Sequence, residues 1–387
     1  MTQKFLSYGR QSIDETDIKA VVEVLKSDFL TQGPKIDEFE KVLCDYTGAK
    51  YAVAVANGTA ALHLAVQALR VKPGAAGITS TITFLASANT FVYNGLKPLF
   101  TDVDARTILM DLEDFSRRIT TNTKVVIPVH FAGRALDMKR LGRIARREKI
   151  AVIEDACHAI GSRYADGGKV GGCQYSDMTV FSFHPVKTIT TAEGGAITTN
   201  DKNFYEKLKC LRTHGMTKDP RQATVSPGPW YYEMRELGFN YRLSDIHAAL
   251  GVSQMKKLDN FVKRRQAIVA RYNQAFRSVE HVETPCLDDR NAAYHLYVLG
   301  IDFEKCGHSR RHVMDTLKGH GIGTQVHYIP VHTQPYYQKN FGYRWGQYPV
   351  AEKYYAQALS LPLYPTMTDA DVTYVLKKLL KILELNV

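Results

Sequence analysis

Three short stretches of this 387-residue chain combine residue types that can do chemistry. The first is Phe181-Ser182-Phe183-His184-Pro185-Val186-Lys187, with Glu193-Gly194-Gly195 shortly after it. Most lysines are exposed and chemically idle. Lys187 is flanked by aromatic and β-branched residues and a Gly-Gly turn, which sets it against a pocket. Desolvation there favours the neutral, nucleophilic amine that forms Schiff bases. The second is Asp155, which ends the apolar run IAVIED at 150–155. Taken alone, such an acid is as readily a helix cap as a functional carboxylate. The third is Asn57-Gly58-Thr59-Ala60, where glycine lets an anion approach the N–H groups of a helix start. Alone, a structural turn with its cap explains it at least as well.

The three together fit one cofactor, pyridoxal 5′-phosphate (PLP). Its aldehyde needs a lysine. Its ring nitrogen needs a carboxylate to stay protonated, so that the ring can take up electrons. Its phosphate needs a helix N-terminus and a hydroxyl, which Thr59 and Ser182 supply. Lys187 follows Asp155 by 32 residues, with one strand and a loop between them. Adjacent strand ends can therefore present both groups to one ligand, as open α/β sheets do.

The elements that must position these groups read as follows. Asp14 caps a helix whose Ile18, Val21, Val22 and Leu25 share a face, and Pro34 starts a second helix with Ile36, Phe39, Leu43 and Tyr46 inward and Gly48 as its stop. YAVAV at 51–55, KVVIPVH at 124–130, IAVIED at 150–155, MTVFSF at 178–183 and GAITTN at 195–200 read as strands, with AALHLAVQAL helical after the first. Short apolar strands alternating with helices predict an α/β fold, with a large, mostly parallel sheet covered by helices on both faces. The pattern changes near residue 255. A long helical stretch runs from Ser244 toward Phe276, then a strand at 294–302, a helix near 308–319 and a terminal helix. The expected division is a large domain over 1–255 and a smaller C-terminal α+β domain over 256–387. Residues 217–233 form an irregular segment rich in Pro, Gly, Trp and Tyr, long enough to suggest a function of its own.

Composition narrows the class. Hydrophobic residues make up 45% and charged residues 23%, near the average for a soluble globular protein. No apolar run reaches the roughly 18–20 residues that span a bilayer, and MTQKFLSYGR lacks a signal-peptide core, so no membrane partner and a cytoplasmic location are expected. The six cysteines form no CxxC pair and read as free thiols. The net charge of +11 is spread out. Its densest run, KRLGRIARREK at 139–149, is interrupted by Leu141, Ile144 and Ala145 at helical spacing, which makes it a solvated helix face rather than a nucleic-acid patch. Gly167-Gly168-Lys169-Val170-Gly171-Gly172 lacks the P-loop form and reads as a surface loop. His312, His320, His327 and His332 suit no zinc spacing, so no metal is expected.

NGTAAL, EDACHAIG, FSFHPVK followed by EGGAITTN, and GFNYRLSDIHAALG resemble, in order and over nearly the whole chain, the DegT-type sugar-nucleotide aminotransferases among the fold type I PLP enzymes. His158 within EDACHAIG, Gln325-Val326-His327-Tyr328 and LTQGP at 30–34 are most similar to the branch on the pseudaminic acid route. The resemblance implies transfer of an amino group from L-glutamate to a UDP-linked 4-keto-6-deoxy sugar. It implies that Lys187 holds PLP and shuttles protons, that Asp155 pairs with the ring nitrogen, and that Phe84 and His158 lie on the two ring faces. Gly58, Thr59, Ala60 and Ser182 would hold the phosphate, and Asn240 would reach it from a second subunit, making a homodimer with shared sites. Tyr8, Asp28, Phe29, Leu30, Thr31, Val326, His327 and Tyr328 would line the sugar-nucleotide side. Phe84 as plain core, His327 as an ordinary strand residue and 28–31 as a mere helix-end turn stand beside these roles. Two other functions compete: a PLP-dependent dehydratase, which would carry histidine in place of Lys187, and a non-catalytic, nucleic-acid-binding regulator, which would not need Lys187, Asp155 and Ser182 together.

Overall fold

The computed structural model describes residues 5–219, 221, 223–225, 227–285 and 289–384. Its central sheet has seven strands: β1 (Tyr51–Val55), β2 (Ala76–Ser80), β3 (Lys97–Thr101), β4 (Thr123–Ile127), β5 (Ala151–Asp155), β6 (Met178–Ser182) and β7 (Gly195–Thr199). They lie in the order β1-β7-β6-β5-β4-β2-β3, and only β7 runs against its neighbours. The five strands read from the sequence are all present. β2 and β3 are additions, each of five residues, and AGITS carries too little periodicity to mark it as a strand.

The covering helices are α1 (Glu15–Leu25), α2 (Pro34–Thr47), α3 (Gly58–Ala68), α4 (Leu85–Tyr93), α5 (Leu112–Arg118), α6 (Met138–Glu148), α7 (Lys202–Arg212) and α8 (Asp245–Met255). In α6 Leu141 and Ala145 are buried while Arg143, Arg146 and Arg147 face solvent, as the run of basic residues suggested. Asp14 caps α1 through a reciprocal capping box. The helix does not, however, bury the face expected of it. Ile18, Val22 and Leu25 are exposed, and the buried residues are Asp17 and Val24. Asp17 accepts hydrogen bonds from Gln254 and Lys257 at 2.8 and 2.7 Å, so α1 is held by a polar knot and its apolar stripe is left outward.

The stretch from Ser244 to Phe276 is two helices, α8 and α9 (Leu258–Phe276), broken at Lys256-Lys257. Residues 217–233 join two short strands, β8 (Met216–Thr217) and β9 (Glu233–Met234), which pair antiparallel. Beyond α9 come β10 (Val282–Glu283), β11 (Tyr297–Ile301), α10 (Arg310–Gly319), α11 (Pro335–Phe341), α12 (Pro349–Gln357), β12 (Ala358–Leu361) and α13 (Asp369–Glu384). β10, β11 and β12 form an antiparallel sheet with its own apolar core, which includes Leu6 from the N-terminal segment. Leu6 pairs with Ile322, and the Leu363 N–H donates to the Tyr8 carbonyl at 3.0 Å, so the start of the chain is threaded along this unit. The described cysteines, Cys44, Cys157, Cys173, Cys210 and Cys306, are free thiols, and Cys286 lies outside the described residues. Among the described residues no helix is long and apolar enough to cross a membrane.

Candidate active site

The sheet brings the chemistry-bearing residues to one edge. β1, β5 and β6 all end there, and β7 begins there. Register pairs Asp155 with Val180, Ser182 with Gly195, and Val55 with Gly195. A side chain at Gly195 would stand 2.5 Å from the Asn57 carbonyl, so glycine is what lets β7 start against the β1–α3 turn. A side chain at Gly58 would stand 2.9 Å from the Ser182 Cβ, which explains glycine at the first residue of α3.

These ends open into a cavity of about 890 Å³. From the sequence-predicted set it is lined by Tyr8, Gly58, Thr59, Ala60, Phe84, Asp155, His158, Ser182, Lys187, Val326, His327 and Tyr328. Asp28, Phe29, Leu30, Thr31 and Asn240 are exposed and do not line it within one chain. A second cavity, of about 340 Å³, lies between residues 105–108 and the small sheet, and none of the sequence-predicted site residues lines it.

Asp155 is 5% exposed and its carboxylate is fixed by two donors, Ser87 Oγ at 2.6 Å and the Cys157 N–H at 3.1 Å. The neighbouring Glu154 points to the other side of β5, as strand alternation requires. There it is held by His130 Nε2 and Tyr164 Oη, each at 2.7 Å. Burial pushes the Lys187 amine below its ordinary value, an effect the Cys157 thiol and the Asp155 carboxylate partly offset. Burial likewise raises the Cys157 thiol, and Asp155 adds to this. Lys187 is the one lysine or arginine among the described residues lining the cavity.

At the start of α3 the Asn57 side chain accepts from the Ala60 N–H at 2.8 Å. The Gly58 and Thr59 N–H groups precede it, in the turn where a helix has no internal acceptors to offer. With the Ser182 hydroxyl alongside, this corner fits a phosphate, and the Lys187 amine and Asp155 carboxylate fit the aldehyde and ring nitrogen of PLP. The donor set therefore matches the cofactor that the sequence implied.

The far wall is aromatic. The Phe84 and Tyr328 ring centroids are 6.2 Å apart, those of Tyr8 and His327 5.2 Å, and those of His158 and His295 4.4 Å. His295 was missed by sequence reasoning, although it sits in YHLYVLGID, a run already read as a strand. Alternation along that strand was the available signal. Asn57 and Glu193, from the stretches read in the sequence, also line the cavity, as do Cys157 and Tyr241, to which the sequence assigned no role.

Burial lowers the proton affinity of three histidines on this wall. His158 and His295 are held well below the ordinary imidazole range, with the Lys187 charge contributing to each. His327 is pushed down to about 3, by burial first and Lys187 second. All three stay neutral in the fold, whereas an unfolded chain protonates them below about pH 6.5. The unfolded state then binds more protons, so stability is complete above that pH and falls on acidification. The slope expected is up to about 1.4 kcal/mol per pH unit for each histidine. Urea midpoints measured from pH 7.5 to 5.5 should decline, and His327→Phe should flatten the decline. An unchanged midpoint across that range would contradict the assignment.

Known proteins resemble this chain in sequence and fold. The profile of the DegT/DnrJ/EryC1/StrS aminotransferase family matches residues 11–380. The spore coat polysaccharide biosynthesis protein SpsC of Bacillus subtilis (strain 168) is 42% identical over 384 residues, 97% of either chain. Helicobacter pylori PseC, an aminotransferase involved in the biosynthesis of pseudaminic acid, superposes with a TM-score of 0.91 at 30% identity, covering 98% of this chain and 100% of that one. The putative sugar aminotransferase Spr1654 of Streptococcus pneumoniae, in its PMP form, gives a TM-score of 0.90 at 30% identity over 98% of each chain.

Proposed function

The chain belongs to the DegT/DnrJ/EryC1/StrS aminotransferase family and is a PLP-dependent sugar aminotransferase of fold type I; from that premise we propose that it moves the amino group of L-glutamate onto a 4-keto-6-deoxy nucleotide sugar. The observation that carries this reading is the cavity itself. It joins Lys187, Asp155 and the α3 N-terminus in one space, with room beyond them for a substrate. The specific sugar we propose is UDP-2-acetamido-2,6-dideoxy-β-L-arabino-hex-4-ulose, converted to UDP-4-amino-4,6-dideoxy-N-acetyl-β-L-altrosamine. The full-length match to PseC supports it. The higher identity to SpsC, a spore coat polysaccharide biosynthesis protein, favours a second reading in which another 4-keto nucleotide sugar is used. Offering both types of keto sugar with L-glutamate, and measuring kcat/KM for each, separates the two. No amino transfer to any of them would remove the proposal.

When bound, PLP takes up electrons from the carbon being deprotonated and stores the amino group between the two substrates. The chain's own residues would do the rest. The Lys187 amine would hold the aldehyde and then carry the proton to and from the substrate carbon. The Asp155 carboxylate, itself locked by Ser87 and Cys157, would hold the proton on the ring nitrogen. Gly58, Thr59, Ala60 and Ser182 would seat the phosphate, and Phe84 and His158 would flank the ring. Tyr8, Val326, His327 and Tyr328 would receive the sugar, and residues 28–31 would meet the nucleotide across a subunit contact. Free thiols suit a reducing compartment, and we place the enzyme in the cytoplasm.

A homodimer with shared sites is part of the proposal. Among the described residues a single chain lines the cavity with one lysine or arginine, too few for a cofactor phosphate and a diphosphate substrate. Asn240 and Tyr241 lie in an extended segment, with Tyr241 lining the chain's own cavity and Asn240 exposed. The chain also carries outward apolar groups that a partner would cover: Ile18, Val22, Leu25 and Phe29, and Trp230 at 73% exposure. An Asn N–H on a partner's phosphate is a charge-assisted hydrogen bond of roughly 1.5–3 kcal/mol. Asn240→Ala should then weaken PLP retention by about one to two orders of magnitude while leaving the fold intact. Mixed with Lys187→Ala protein it should regain activity, because a hybrid dimer has one site with both residues. A fully active monomer, or no rescue despite proven subunit exchange, would refute sharing.

A further inference from the structure

The second cavity, of about 340 Å³, falls within the size range of small-molecule sites, roughly 300–1,000 Å³. It shares no lining residue with the active site, yet at three places a residue lining one adjoins a residue lining the other. In the run from Tyr294 to Val298, Tyr294, Leu296 and Val298 face the second cavity, and His295 between them faces the active site. Ala132 lines the second cavity and donates its N–H to His158 Nδ1 at 3.3 Å. Its neighbour Phe131 stands edge-on to Tyr328, with ring centroids 6.2 Å apart. Tyr354 lines the second cavity and donates its hydroxyl proton to the His327 carbonyl at 2.7 Å.

The backbone around this cavity is strained. Ile108, Ala132 and Tyr294 all line it, and all are left-handed, at φ 59°, 56° and 50°. A β-branched residue such as Ile108 avoids that region, and such outliers collect where a fold builds a site. The lining is also amphipathic. Ile108, Phe131, Leu296 and Tyr354 give the cavity an apolar body with ring walls. Arg106, Arg134 and Lys353 stand against one acid, Glu283, among the described lining residues. Asp289 engages Arg134 at 3.4 Å, and Arg106 lies beside Asp104, whose carboxylate takes its N–H at 3.1 Å. Lys353 is exposed and has no ion pair among the described residues.

We propose that the second cavity is a regulatory site for a small organic anion, a flat ring body with one acidic group, the ring lying against Phe131 and Tyr354 and the acid meeting Lys353. A filled cavity cannot narrow. It holds residues 105–108 and 131–134 at their present distance from the small sheet, and so opposes any step that draws these parts together. A ligand that favours the open spacing weakens whatever binds on the other side of the wall by the same difference in affinity. The site stands on the cavity alone, whereas the regulatory effect rests on the aminotransferase reading above.

The test uses the PLP-loaded enzyme and anilinonaphthalene sulfonate, a fluorescent anion of this shape. Its emission should rise saturably, with one probe bound per chain. Lys353→Glu should weaken probe binding by about tenfold or more, and so should Val350→Trp, which sets a ring into the cavity from a half-buried position. Lys377→Glu, the same charge change at an exposed lysine of α13, should not. Without probe, all three variants should run the glutamate half-reaction as the wild type does. With probe saturating, the apparent affinity of the wild-type enzyme for L-glutamate should fall by about fivefold or more. Lys353→Glu at the same probe concentration should escape that fall. No saturable binding, or binding that Lys353→Glu and Val350→Trp leave unchanged, would overturn the site. Binding that both variants weaken but that leaves the glutamate half-reaction untouched would overturn the regulatory role. A probe-free wild-type enzyme that fails to react with L-glutamate would count against the aminotransferase reading and the regulation resting on it, and not against the site, which the binding measurements decide.

Discussion

Lys187→Ala protein should fold, take up PLP without a covalent bond, and turn over slower by on the order of 10⁴-fold or more. The size follows from two losses at one position. The amine that fixes the cofactor in the cavity is gone, and so is the base that moves the proton. Nothing nearby replaces it, because no other lysine or arginine among the described residues lines the cavity. Burial and Asp155 raise the neighbouring Cys157 thiol, so it stays protonated and cannot accept the proton in its place. Borohydride treatment of the wild-type enzyme, followed by peptide mapping, should find the cofactor on Lys187. Label on any other lysine would contradict the assignment.

Asp155→Asn should bind PLP and keep its fold but lose roughly 10²–10³ in kcat, the scale of removing one preorganised electrostatic partner. The substitution is nearly isosteric. The Cys157 N–H can still donate to the amide oxygen, while the amide N–H donates to Ser87 Oγ, whose own proton can turn to Thr83 Oγ1, so the geometry at the end of β5 is preserved. What is lost is the charge that keeps the ring nitrogen protonated. A visible spectrum showing bound PLP together with the kinetic loss separates this from a folding defect. Near-normal kcat with cofactor bound would show that Asp155 is not its partner.

Much of this was legible in the sequence, for identifiable reasons. The buried strands β1, β5, β6 and β7 are runs of apolar residues closed by polar or glycine positions, so the ends that carry Gly58, Asp155 and Ser182 could be placed at one sheet edge. Lys187 followed from its aromatic and glycine surroundings. α1 was misjudged because its apolar stripe looked like a core face. Ile18, Val22 and Leu25 are instead outward, and the helix is held by buried Asp17, which pairs with residues more than two hundred positions away. No local pattern encodes such a partner. β2 escaped notice because a strand buried on both faces with a glycine in it shows no alternation, and its Gly77 is packed against Phe91. His295 was hidden for a related reason. Its place beside His158 depends on a backbone whose carbonyl Arg265 holds from α9.

This cavity should accept the amino group of L-glutamate through a cofactor held at Lys187. The most direct test is the absorbance spectrum of the purified PLP-loaded protein during titration with L-glutamate and no sugar present. The visible band should fall stoichiometrically and a near-ultraviolet band of the amino form should rise, with 2-oxoglutarate released in equal amount. A visible band that L-glutamate leaves unchanged, or one that falls without release of 2-oxoglutarate, would contradict it.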